Sequence, residues 1–333
     1  MSIWLQYNAD ERLVMLQQTA GAKNIVEQAI EKDWWVSAIL MVLSKTSWAN
    51  FLQFKGGTSL NKAWGLINRF SEDIDIAISR SFFNLPEDTA QQRTAIRRSA
   101  FHYVKETLIT EIDKILISDG INDYEIELIT QNSSAMIITI EVRYKSILTS
   151  VIDYILPVVK IEFSAMSLDE PNLEKEITTL IYSQYPKIDN EIKCQFKTVL
   201  PERTFLEKIF LLHEEYQKEN SRTERMSRHL YDLEKIMDSP YAASALQNSE
   251  LYKTIIKHRQ KFNNIQGMDY RTHYSDQIQI CPTEKLQNDW RNDYENLRES
   301  FIFDKSKKTF DELITRILEL TNRIRKVNLK PDE

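Results

Sequence analysis

The sequence predicts an α+β chain, with a mixed sheet and flanking helices over residues 1–198 and a helical C-terminal domain over residues 199–333. Three observations carry this. Short runs rich in Ile, Val, Thr and Tyr, bounded by Asn, Ser and Pro, recur between residues 124 and 199 and read as strands. Apolar residues at helical spacing precede those runs. From Pro201 to the end the spacing is helical, apart from a loop around residues 263–282. The 333 residues suffice to bury a substantial core, and 42% hydrophobic with 28% charged residues is a globular composition.

In chain order, residues 10–31 and 33–48 read as helices, and Trp34, Trp35, Ile39, Leu40 and Leu43 mark the second as buried. A glycine loop at Gly56-Gly57, a short helix starting near Thr58 or Ser59, and a strand at Asp73 follow. Pro86-Glu87-Asp88 opens a helical pattern reaching about Ile117, with proline in its first turn. Strands are expected at 124–130, 135–144, 155–164, 177–182 and 194–199. No repeat or low-complexity segment interrupts the chain.

The chemistry concentrates in Phe54-Lys55-Gly56-Gly57-Thr58-Ser59-Leu60 and Arg69-Phe70-Ser71-Glu72-Asp73-Ile74-Asp75. Alternate residues of a strand share a face, so Asp73 and Asp75 project together while Ile74, Ile76 and Ile78 turn to the core. Paired carboxylates of this kind suit Mg²⁺, which takes one or two carboxylates together with substrate phosphates. At Gly56 and Gly57 the missing Cβ atoms let backbone N–H groups approach phosphate, and Lys62 and Arg69 add donors. Alone, Gly-Gly is usually a turn and Asp-x-Asp a solvated strand end; loop, helix and strand in this order are far more specific. Further on, Val158, Lys160 and Glu162 share one strand face. Burying Lys160 and Glu162 without partners would be costly, so the face is either an exposed edge or a site.

These motifs resemble the AbiEii/AbiGii family of nucleotidyltransferase toxins, a branch of the polymerase-β-like nucleotidyltransferase superfamily. The similarity extends through Lys160-Ile161-Glu162, Arg203-Thr204-Phe205-Leu206-Glu207-Lys208 and Arg228-His229-Leu230-Tyr231-Asp232, with a fainter echo from Lys257-His258-Arg259 to Asp289-Trp290-Arg291-Asn292-Asp293-Tyr294. It implies a polymerase-β-like core and Mg²⁺ or Mn²⁺ held by Asp73, Asp75 and Glu162. Glu162 would also receive or orient the proton of the attacking hydroxyl. Lys208 would meet the triphosphate, and Asp232 would belong to the active site. By spacing alone Lys208 would be a snorkelling side chain, and an Arg228–Asp232 helical pair would add only about 0.2–0.5 kcal/mol. Gly56, Gly57, Thr58, Ser59, Lys62, Arg69, Lys160, Arg228 and Arg259 form the expected nucleotide-binding set. The sequence departs from the pattern at His229, where many relatives carry an acidic residue.

The resemblance implies the toxin of a type IV toxin–antitoxin or abortive-infection pair, moving a nucleotide from NTP onto a hydroxyl, with the 3′ end of tRNA as acceptor. A cognate antitoxin encoded nearby is implied, and it need not bind the toxin. Two rivals stand beside this reading. A phosphotransferase on the same scaffold would release NDP in place of pyrophosphate. A catalytically inactive nucleotide-binding protein would show no turnover.

The net charge of −6 argues against indiscriminate grip on nucleic acid. A local basic face is open at Arg222, Arg225, Arg228, Lys253, Lys257, Arg259 and Lys261, either as the solvated side of helices or as a polynucleotide surface. No apolar run is long enough to span a bilayer, the N-terminal residues lack a signal-peptide pattern, and a cytoplasmic location without membrane partners is expected. Cys194 and Cys281 have no metal-ligand spacing and read as reduced thiols. None of the five histidines pairs with a serine or cysteine at an informative spacing.

Overall fold

A computed structural model describes the chain apart from residues 1–2, 84–88, 150–154, 166–170, 191, 263–264, 266, 328 and 330–333. It divides into two compact units: Met1–Trp64 with Phe70–Val199, and Gly65–Arg69 with Leu200–Glu333.

The first unit is built on a mixed sheet of seven strands among the described residues: β1 (Leu52–Lys55), β2 (Asp73–Ile78), β3 (Tyr124–Leu128), β4 (Ile137–Tyr144), β5 (Val158–Ser164), β6 (Asn172–Thr178) and β7 (Lys193–Val199). Their order is β3-β4-β5-β2-β1-β7-β6. The β2–β5 and β1–β7 pairs are parallel and the others antiparallel. The alternation seen in sequence holds: Ile74, Ile76, Ile161 and Phe163 are fully buried, and Asp73, Asp75 and Glu162 on the opposite face are half-buried.

Flanking this sheet are α1 (Ala9–Lys23), α2 (Glu27–Leu43), α3 (Gly56–Lys62), α4 (Ala90–Tyr103), α5 (Ile109–Ser118) and α6 (Leu180–Gln184). Every residue from Gln28 to Leu43 is buried, so α2 is a central helix covered on all sides. The first two helices part at Asn24 and not near residue 32. Asn24 adopts a left-handed conformation (φ 56°), which Asn tolerates and which ends a helix. Residues 180–182, expected as strand, are helical because the Thr179 hydroxyl caps the Tyr182 N–H. The Pro86 helix start lies outside the described residues; α4 begins at Ala90 behind a Thr89/Gln92 capping box and continues into α5 through a π-helical turn, Val104–Leu108.

The second unit comprises α7 (Pro201–Gln217), α8 (Ser227–Ile236), α9 (Pro240–Gln247), α10 (Ser249–Phe262), α11 (Gln287–Ser300) and α12 (Phe310–Lys326). Pro201 opens α7 at a position that needs no N–H donor. Phe205, Phe210, Tyr252, Trp290, Tyr294 and Phe310 supply most of the buried aromatic volume. Gly65–Arg69 joins these helices through an isolated bridge between Arg69 and Ile302 and through Phe303 N–H donating to the Asn68 carbonyl. Among the described residues no helix is long and apolar enough to cross a membrane. Both cysteines are unpaired, and burial raises the Cys194 thiol to about 11.

Candidate active site

The first cluster is organised by β2. Its parallel register with β5 sets Asp73 beside Lys160 and Asp75 beside Glu162, and its antiparallel register with β1 sets Lys55 beside Asp75. Lateral partners share a face, so Lys55, Asp75 and Glu162 form one row across adjacent strands spaced about 4.8 Å apart. Asp73, Lys160 and Glu141 form the next row, through the β4–β5 register. Lys160 is exposed and Glu141 is buried, with Arg143 paired to it.

Gly56 is required here. Its φ of +78° is left-handed, and a Cβ at this position would overlap the Asp75 carboxylate, standing 2.8 Å from its Cγ. The glycine thus lets the carboxylate lie against the turn. Gly56→Ala is expected to cost about 1–3 kcal/mol in backbone strain and, by displacing Asp75, to lose transfer activity as well. Gly65→Ala is the control, because φ is +62° there but open space surrounds the new methyl. Denaturant midpoints and turnover for the two variants separate the effects; equal turnover would refute the contact.

Thr58 and Ser59 are buried, and their hydroxyls serve the protein. Thr58 Oγ1 donates to the Asp73 carbonyl at 2.5 Å, latching α3 to β2, and Ser59 Oγ donates to the Gly56 carbonyl at 2.9 Å. Gly57 lies in the first turn of α3. Lys62 Nζ is 2.5 Å from Asp33 Oδ1, and both side chains are buried; Asp33 Oδ2 also accepts the Leu180 N–H. On the neighbouring position of α2, Lys32 pairs with Glu72 at 2.8 Å, one residue before Asp73. Sequence reading assigned no role to Lys32, Asp33, Lys55, Glu72 or Glu141. The available signal was charge beside the apolar run Trp34–Leu43, since Lys32 and Asp33 could be buried there only with partners.

The second cluster lies in the helical unit. Asp232 on α8 is fully buried and takes two bonds from Arg69, Nε to Oδ1 at 2.6 Å and Nη2 to Oδ2 at 2.7 Å. Lys208 Nζ on α7 is 2.9 Å from the same Oδ2 and 3.3 Å from His229 Nδ1. Burial pushes the Asp232 carboxyl upward, but the Arg69 and Lys208 cations outweigh it and hold the group well below the usual carboxylate range. Burial lowers the Lys208 ammonium, with Arg69 and Arg228 adding to the effect against Asp232. His229 is likewise held neutral by burial and by Lys208 and Arg228. Arg228, half-buried, stands one turn before Asp232 on α8. The N-terminus of α8 is fixed by Asp293 on α11, whose carboxylate accepts the Arg225 N–H at 2.5 Å and the Ser227 N–H at 2.8 Å.

Arg259 does not belong to a solvated basic face. Both ends of its fork engage buried Glu214, with Nε to Oε1 at 2.7 Å, and His273 Nε2 stands 3.2 Å from the same oxygen. These partners overcome burial and bring the Glu214 carboxyl down to about 2. Arg222 is similarly engaged by Glu215. Lys257 and Lys261 are exposed and Lys253 half-buried.

Among the described residues no three His, Cys, Asp or Glu side chains are grouped as a self-sufficient metal cage. Asp75 and Glu162, lateral neighbours on β2 and β5, suit the other mode, in which one or two carboxylates share Mg²⁺ with substrate phosphates.

The sequence matches the family described as nucleotidyl transferase AbiEii toxin, type IV toxin–antitoxin system, over residues 38–316. Among solved structures the chain is similar to MenT4, a nucleotidyltransferase toxin from Mycobacterium tuberculosis H37Rv, at 16% identity and TM-score 0.57, covering 95% of this chain and 89% of that one. It is also similar to JHP933 from Helicobacter pylori, at 17% identity and TM-score 0.45 over 91% and 94% of the chains. No curated protein matches. The likeness to MenT4 shows a shared fold, and the family match covers most of the chain. This chain therefore belongs to the AbiEii family of nucleotidyltransferase toxins of type IV toxin–antitoxin systems.

Proposed function

We propose that the protein transfers a nucleotide from NTP·Mg²⁺ to a hydroxyl acceptor, the 3′ end of tRNA being the acceptor class. The observation that carries this is the lateral pairing of Asp75 with Glu162 beside the Gly56 turn. When bound, Mg²⁺ or Mn²⁺ would neutralise charge at the reacting phosphorus, and Asp73, Asp75 and Glu162 would hold it together with triphosphate oxygens. The backbone N–H groups at Gly56 and Gly57 are proposed to meet phosphate, with Thr58 and Ser59 holding the turn and Lys62 and Arg69 as the further proposed nucleotide-binding donors. Lys160, Lys208 and Arg228 are the proposed sources of positive charge for the triphosphate, and Asp232 pairs with Lys208, opposing the effect of burial on its ammonium. Arg259 contributes by securing α10 through Glu214. In the transfer, a bond forms from the acceptor oxygen to the α-phosphorus, pyrophosphate leaves, and the hydroxyl proton passes to Glu162.

Incubating the purified protein with each α-labelled NTP, Mg²⁺ and total RNA tests this. Label is expected at the 3′ end of tRNA with release of pyrophosphate. Label arriving only from γ-labelled NTP would identify a phosphotransferase, and no transfer at all would identify an inactive interaction protein. Family membership implies a cognate antitoxin, and we propose that it acts without obligatory binding to this chain.

A further inference from the structure

A cavity of about 380 Å³ in the first unit is bounded by α1, α2 and the segment after β4, away from the carboxylate rows. Its lining residues include Trp4, Trp34 and Trp35 together with Arg12 and Glu31. Two of the indoles are fixed before any ligand arrives: Trp34 Nε1 donates to Asp189 Oδ1 at 3.1 Å, and Trp35 stacks on Tyr144 with ring centroids 4.8 Å apart. A preformed hollow that combines aromatic surface with convergent polar and charged groups can hold a small amphipathic molecule, and the volume lies in the common range.

The polar groups are specific. Glu31 is 6% exposed, and its carboxylate accepts Ser146 Oγ–H at 2.6 Å and the Ile147 N–H at 2.8 Å. A carboxylate offers about four lone-pair sites, so acceptor capacity remains for a donor from the cavity. Arg12 on α1 forms no ion pair among the described residues, and its buried Nε has no hydrogen-bond partner there. A guanidinium has donors only, and a carboxylate fits its fork in bidentate fashion. At the mouth, Asp123 and Lys145 also form no ion pair among the described residues and offset each other in charge. The lining is therefore electrically balanced, which disfavours a triphosphate and favours a ligand that is neutral overall but carries both signs.

We propose that this cavity binds a free α-amino acid with a large apolar side chain, its carboxylate on Arg12, its ammonium on Glu31 and its side chain against the three indoles. Glu31 serves only this side of α2; the next two residues, Lys32 and Asp33, pair with Glu72 and Lys62. The site is thus separate from the proposed transfer chemistry, and the proposal stands whether or not that reading holds.

Calorimetric titration of the full chain with L-phenylalanine, L-leucine, L-tryptophan and glycine tests it, with N-acetyl-L-phenylalanine, L-phenylalaninamide and 3-phenylpropionate as blocked or truncated forms. Saturable binding of the large apolar amino acids and none of glycine is expected. Each blocked form should bind about 10- to 100-fold more weakly, the loss expected for one charged hydrogen bond. Arg12→Ala and Glu31→Gln should weaken binding by a similar factor with an unchanged circular dichroism spectrum. Arg12 is half-buried and makes no ion pair, so its variant carries the test if Glu31→Gln disturbs the fold. Absence of binding at millimolar amino acid, equal affinity for the blocked forms, or indifference to Arg12→Ala would overturn the proposal.

Discussion

Asp75→Asn is expected to lower nucleotide transfer at least 100-fold, about 3 kcal/mol of transition-state stabilisation, while leaving the fold intact. The carboxylate sits on the polar face of β2, beside Glu162 and against the Gly56 turn, and the core face of the strand is formed by Ile74 and Ile76. Asn preserves the size of the side chain and removes the charge that a divalent ion would need. Asp73→Asn should act in the same direction. Turnover with α-labelled NTP and growth inhibition on induction report the loss, and circular dichroism with denaturant melts reports the fold. Near wild-type turnover with unchanged metal dependence in either variant would remove these carboxylates from the active site.

Asp232→Asn should show the opposite signature, with stability falling first. Arg69, Lys208 and Asp232 are each less than 10% exposed, and the single carboxylate compensates both cations. Removing one partner of a buried pair costs about 3–5 kcal/mol, because the remaining charge stays buried without compensation. The double variant with Lys208→Met should recover part of that loss, since only one cation then remains to be balanced. Urea unfolding of the parent, the two single variants and the double variant measures the coupling; strict additivity would mean that the contact contributes nothing. The pH dependence has a definite sign. The folded state holds the Asp232 carboxyl below its ordinary value of 3.8, so the unfolded chain binds more protons in acid. This contribution is complete above the unfolded value and is lost as pH falls below it. Glu214, brought down from 4.5 to about 2, adds a loss in the same direction between those values. Asp232→Asn should flatten only its own share of that acid slope.

Some of this was legible in the chain. The period of two placed Asp73 and Asp75 on one face, the glycine pair marked the turn, and the apolar density of residues 33–43 marked the buried helix, because these depend only on local geometry. The strand of residues 52–55 was not anticipated: it is four residues long and too short to show a period. The 24–25 break between the first helices depends on a single left-handed asparagine, a backbone choice that apolar spacing does not encode.

The sequence by itself determined which residue types were present for phosphate and metal chemistry and which short segments presented them. Tertiary structure alone decided their partners. Glu162 stands beside Asp75 only because β5 pairs with β2 in one parallel register. Arg69 reaches Asp232 across 163 positions of sequence, and Arg259 turns inward to Glu214 instead of outward to solvent. Local periodicity specifies the face a side chain occupies on its own element. The charge it meets there is set by packing between elements distant in sequence, and for a buried ion that partner decides whether the site is stable at all.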